Sequence, residues 1–94
     1  MFVLSLTYTV PLDQVDAHIG PHMAWVARGY EAGIFLASGR KEPRTGGVIL
    51  AQGDRPSLEA LVATDPFVTA GVAQYELTEI VLSRTAPGLE ALKG

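Results

Sequence analysis

The hydrophobic period of this chain switches repeatedly between two residues and about three and a half, and the order of the switches constrains the fold more than any single motif does. From Phe2 to Val10 the residues alternate, with Phe2, Leu4, Leu6, Tyr8 and Val10 on one side and Val3, Ser5, Thr7 and Thr9 on the other. That is a strand with one buried face. Pro11 ends it. Leu12, Val15 and Ile19 then predict a short helix over Leu12 to His18, with Asp13 and Asp16 early, where the helix dipole favours negative charge. Gly20-Pro21 is expected to interrupt it, because Pro21 has no amide hydrogen to continue a helix but suits the first position of a new one. From Pro21 to Ala32, Met23, Val26, Ala27 and Tyr30 form an apolar stripe, and Gly33 can take the left-handed cap.

A second strand is expected over Ile34 to Gly39, apolar on both faces. A loop follows from Arg40 to Gly47, with three basic residues, Pro43 and the Gly46-Gly47 pair, before a third strand from Val48 to Gln52. Gly53-Asp54-Arg55-Pro56 turns the chain, and Leu58, Leu61 and Val62 mark a second main helix from Ser57 to about Ala63. Asp65-Pro66 then forms a corner: the proline holds Asp65 in extended or turn geometry, so the backbone aims its carboxylate at a helix exit. Ala73 to Leu82 alternates as a fourth strand, and Ser83 to Gly94 is a tail in which Leu89 to Leu92 can form one helical turn. The order β-α-β-β-α-β predicts an α+β, ferredoxin-like fold, with a four-stranded antiparallel sheet and helices on one face. Val3 and the strands around Ile34 and Val48 are too apolar for the other face to be left in water, which predicts a homodimer packed through its sheets.

At 94 residues this is one domain, with its core at 2–82 and its tail at 83–94. Seven scattered Lys and Arg and a formal charge of -3 argue against nucleic acid as a partner. No apolar run is long enough for a membrane span, and Met1 to Leu4 has no basic residue ahead of it as a secretory leader would, so a cytoplasmic location is expected. The absence of cysteine removes thiol nucleophiles and thiolate metal sites, and leaves His18 and His22 as the only side chains that titrate near neutrality. The two histidines are four apart, as helical metal ligands are, but Gly20-Pro21 is expected to break that register. No cofactor and no metal is predicted.

Three stretches in order, Pro21-His22-Met23-Ala24-Trp25, Ala37 to Ala51 with Ser38-Gly39-Arg40 at its start, and Asp65-Pro66-Phe67 followed by Ala70-Gly71-Val72-Ala73-Gln74-Tyr75, resemble the YciI-like (YCII-related) proteins over residues 2 to about 82. The resemblance implies a dimeric α+β barrel and an active site made of a His-Asp pair with a nearby Ser, carried here onto His22, Asp65 and Ser38. A few such relatives act on muconolactone-type compounds as isomerases or dehalogenases. The chain departs from one common form at Arg40, where a proline often follows the glycine, which alters one pocket wall.

A carboxylate that holds one ring nitrogen of His22 leaves the other free as a base. Arg40 or Arg44 can hold an anionic substrate, and Tyr8 and Phe67 can line its pocket. Ser38 can donate to a developing oxyanion but lacks the base and sharp turn of a nucleophilic serine. The expected function is general acid–base chemistry, as isomerisation, elimination or dehalogenation, on a small carboxylate- or lactone-type metabolite. The competing readings are a non-catalytic ligand-binding or accessory dimer and, more remotely, haem or metal held by His22. The plainer alternatives are a capping role for Asp65, a helix-start surface role for His22, a backbone-bonded Ser38, and core packing for Tyr8, Trp25, Phe67 and Tyr75.

Overall fold

A computed structural model describes residues 1–93. Strands β1 (Phe2–Tyr8), β2 (Phe35–Arg40), β3 (Gly46–Ala51) and β4 (Ala73–Glu79) form one antiparallel sheet in the order β2-β3-β1-β4. Helices α1 (Leu12–Asp16) and α2 (Ile19–Glu31) lie between β1 and β2; α3 (Arg55–Val62) and α4 (Pro66–Thr69) lie between β3 and β4. The fold is the ferredoxin-like α+β arrangement. β1 alternates as expected, and buried Phe2, Leu4 and Leu6 meet Trp25 and Val26 of α2, Leu58 and Val62 of α3 and Phe67 of α4 in two adjoining clusters. Both main helices therefore cover one sheet face. On the other, Val3, Val48 and Leu50 are only partly buried, and Gln74, Glu76 and Thr78 are exposed.

Four local expectations change. Gly20-Pro21 does not interrupt the helix: α2 begins at Ile19, and the amide of His22 is bonded to the His18 carbonyl at 3.1 Å. Pro21 occupies a first-turn position whose amide would have no acceptor, so it costs no hydrogen bond there. His18 is the residue before the helix, outside its register. Second, Gly46 and Gly47 belong to β3 and not to the loop. A Cβ on Gly46 would lie 1.8 Å from the Leu6 carbonyl oxygen, so only glycine permits this pairing. Third, α3 starts two residues before Ser57, with Asp54 as its cap. Fourth, Asp65 is not only a helix exit but also the start of α4, a short helix absent from the sequence reading. The far ends shift as well: β4 stops at Glu79, Val81 beyond it is 91% exposed, and the turn in the tail is a 3-10 turn at Glu90–Lys93.

The cap expected at Gly33 is present. Its φ is 74°, and the amides of Gly33 and Ile34 bond to the carbonyls of Tyr30 and Gly29, each at 3.0 Å, which closes α2. α2 then lies so near β2 that a Cβ on Gly29 would sit 2.1 Å from the Phe35 ring.

Candidate active site

Asp65 is the only fully buried charged side chain among the described residues, with 0% exposure. The sequence accounts for half of its position: Pro66 ends the path of α3 and supplies the first residue of α4, and Asp65 Oδ1 accepts from the Phe67 amide at 2.9 Å. Tertiary packing accounts for the rest. Nδ1 of His22 lies 2.8 Å from Oδ1 and 3.0 Å from Oδ2, and the Tyr75 phenol donates to Oδ2 at 2.6 Å. A buried carboxylate without partners is strongly unfavourable; this one has three donors.

His22 comes from the first turn of α2 and keeps 12% side-chain exposure. Its ring stacks on Phe67, with centroids 3.9 Å apart and planes 9° from parallel. One turn later, Trp25 Nε1 donates to Thr64 Oγ1 at 3.0 Å, and Thr64 Oγ1 donates to the Leu61 carbonyl at 2.6 Å, which ties α2 to the segment carrying Asp65. Because the carboxylate accepts at Nδ1, that nitrogen carries the hydrogen. Nε2 has no hydrogen-bond partner among the described residues.

His22 opens onto a cavity of about 550 Å³, a volume suited to a small metabolite. Leu6, Ile19, Met23, Val26 and Ile49 give it apolar walls, and Gly46 and Gly47 leave room in the β3 wall. Tyr8 and Phe67, which also pack in the core beside it, line the cavity and meet edge to face at 5.8 Å.

Ser38 and Arg40 also line the cavity, because of a bulge. Phe35 pairs with Ala51, yet Ala37 pairs with Leu50, so Leu36 is an extra residue in β2. The bulge inverts the alternation beyond it: Ser38, opposite Ile49, and Arg40, opposite Gly47, join the helix-covered face to which Phe35 belongs. The Ser38 hydroxyl is shared with the Tyr30 phenol at 2.7 Å.

The two arginines differ. Arg44 is bonded to Asp16 at the end of α1, and its guanidinium carbon lies 5.9 Å from the centre of the Tyr8 ring. The hydrogen bond to Asp16 raises the Arg44 pKa, so its charge is already matched. Arg40 has no ion pair among the described residues.

Tyr75 was expected to be core packing, and its bond to Asp65 is the main site feature missing from that expectation. Burial first, then the bond to Asp65, pushes its phenol ionisation far above the usual range, so the O–H persists and donates. In the strand pattern Tyr75 is one more inward residue, and only the Leu6–Tyr75 register, with α4 above it, brings the phenol to Asp65.

The solved structure of the 5-chloro-2-hydroxyhydroquinone dehydrochlorinase TftG from Burkholderia phenoliruptrix AC1100, in complex with 2,5-dihydroxybenzoquinone, is similar to this fold. The TM-score is 0.63 at 16% identity, covering 85% of this chain and 93% of that one. No curated protein matches the sequence. The YCII-related domain matches residues 1–81, which takes in every strand, all four helices and every side chain of the site just described; the chain belongs to the YCII-related family.

Proposed function

We propose that this chain is a small-molecule enzyme in which His22 moves a proton through Nε2, performing an elimination or isomerisation on a compact carboxylate-, lactone- or quinol-type compound. The observation that carries this reading is the bond from His22 Nδ1 to both oxygens of fully buried Asp65, at the wall of an apolar cavity. A carboxylate in that position fixes the tautomer and stabilises the imidazolium that forms when Nε2 takes a proton.

In an elimination, Nε2 removes the proton from the carbon next to the one bearing the leaving group. The C–H electron pair becomes the new double bond, and the leaving group departs with its own bonding pair, as chloride does in a dehydrochlorination. In an isomerisation the imidazolium returns the proton to a different carbon. Arg40, without an acidic partner among the described residues, is the cation for an anionic substituent, and Ser38 is a polar contact on the same wall. Tyr8 and Phe67, in contact with each other, form one aromatic wall for a bound compound, while Arg44, held by Asp16, shapes the wall beside them. The likeness in fold to a dehydrochlorinase solved with a hydroxylated quinone supports this choice of chemistry.

The reading includes a homodimer, supported by partly buried Val3, Val48 and Leu50 on the sheet face opposite the helices. Light scattering at micromolar concentration tests it, and a monomer contradicts it.

The test of function is incubation with a panel of small hydroxylated chloroaromatics, lactones and enolisable acids, reading chloride release and deuterium uptake. At least one compound is expected to react, with the rate lowered at least about a hundredfold in His22→Ala. An undiminished rate in that variant, or no reaction or binding across the panel, contradicts the proposal.

A further inference from the structure

The Tyr75 phenol makes the shortest contact to the Asp65 carboxylate, 2.6 Å, and no contact with its backbone cap requires it. Phenylalanine would fill the same half-buried place against Leu6 and Trp25. What the hydroxyl adds is a donor on a carboxylate that already serves His22.

A carboxylate has about four lone-pair directions. Here the Phe67 amide takes one on Oδ1, Tyr75 takes one on Oδ2, and His22 Nδ1 lies within reach of both oxygens. No guanidinium or ammonium contacts Asp65 among the described residues; of the other charged groups at the cavity, Arg44 and Asp16 hold each other, and Arg40 stands on β2. The electron density of the carboxylate is therefore divided between the imidazole and two neutral donors. In a low-dielectric site, each donor that binds a carboxylate lessens its pull on the next proton.

We infer that Tyr75 is a positioning residue of this site: its O–H, bound to Asp65 Oδ2, limits the pull of the carboxylate and so keeps the shared proton on Nδ1 of His22. This rests on the reading of His22 and Asp65 as a working pair, but not on any particular substrate. Nδ1 then stays protonated whether or not Nε2 has taken a proton, and Asp65 remains an acceptor throughout.

The test uses the proton between His22 Nδ1 and Asp65, which is observed by NMR far downfield of the amides when a carboxylate accepts it. Removing the donor in Tyr75→Phe is expected to strengthen the Nδ1–H bond to Asp65 and move that resonance further downfield. Site-specific 3-fluorotyrosine at position 75, a stronger donor of nearly the same shape, is expected to move it upfield. If Tyr75→Phe does not fold, the fluorinated protein alone decides. A resonance that stays put in the folded variants, or shifts the same way in both, overturns the inference. A graded shift in a protein that transforms no compound leaves the inference standing while the proposed reaction falls. Turnover with an insensitive resonance does the reverse.

Discussion

Asp54 and Asp65 use the same local device in opposite surroundings. Each caps a helix whose first turn contains a proline, and each accepts from a backbone amide within the next three residues: Asp54 from Ser57 at 2.9 Å, Asp65 from Phe67 at the same distance. Asp54 is exposed, and among the described residues its second oxygen takes only the Ser57 hydroxyl, at 3.0 Å. Asp65 is fully buried, and its remaining acceptor capacity goes to His22 and Tyr75, from α2 and β4. The cap is a local property of an Asp at a helix start with a proline in the first turn. Chemistry arises where the fold takes such a cap out of water and gives it an imidazole.

The largest expected effect tests that difference directly. Asp65→Ala leaves the Tyr75 hydroxyl, the Phe67 amide and His22 Nδ1 without their acceptor, and is expected to destabilise the fold by roughly 3–5 kcal/mol in a denaturant titration. If Asp54→Ala costs as much, the two caps are equivalent and the distinction fails. Next comes His22→Ala, which removes turnover by about two orders of magnitude or more while costing less stability than Asp65→Ala, because Asp65 keeps two donors. Equal stability losses in the two variants would mean that the imidazole, not the carboxylate, anchors this corner. Thr64→Val cuts the tie from Trp25 and is expected to cost about 1 kcal/mol, read as a shift in the denaturant midpoint with an unchanged slope.

The smallest effect belongs to Asp54, and it depends on pH. The Ser57 amide, then the Ser57 hydroxyl, holds the Asp54 carboxyl below its ordinary value. Its folded value is thus lower than its unfolded one, so the stabilisation is fully present above the unfolded value, near about 3.9, and is lost as pH falls through the folded value. Thermal melts of Asp54→Asn and the parent chain should therefore converge as pH drops below about 4. A gap that widens in acid would reverse the sign.

Much of the architecture was legible because it follows from period and chain punctuation. β1 alternates cleanly, and Gly33 is a glycine where a left-handed cap is needed. The residues proposed for the site also lie together: His22, Ser38, Arg40, Arg44, Tyr8 and Phe67 line one cavity, with Asp65 behind His22. What was not legible depends on partners. Pro21 reads as a break unless one knows that the helix starts at Ile19, and Gly46 reads as loop unless one sees the Leu6 carbonyl beside it. The extra residue at Leu36 turns Ser38 and Arg40 inward, yet nothing in an apolar run on both faces signals a bulge. Tyr75 has a signal for packing and none for its hydroxyl, which meets Asp65 only through strand register and the placement of α4.

The most direct measurement is the nitrogen-15 spectrum of the His22 ring at a pH where it is neutral, in the parent chain and in Asp65→Asn. The hydrogen is expected on Nδ1, with Nε2 bare, and that preference is expected to weaken once the carboxylate is gone. A ring that carries its hydrogen on Nε2, or is indifferent to Asp65→Asn, would contradict the coupling of these two side chains.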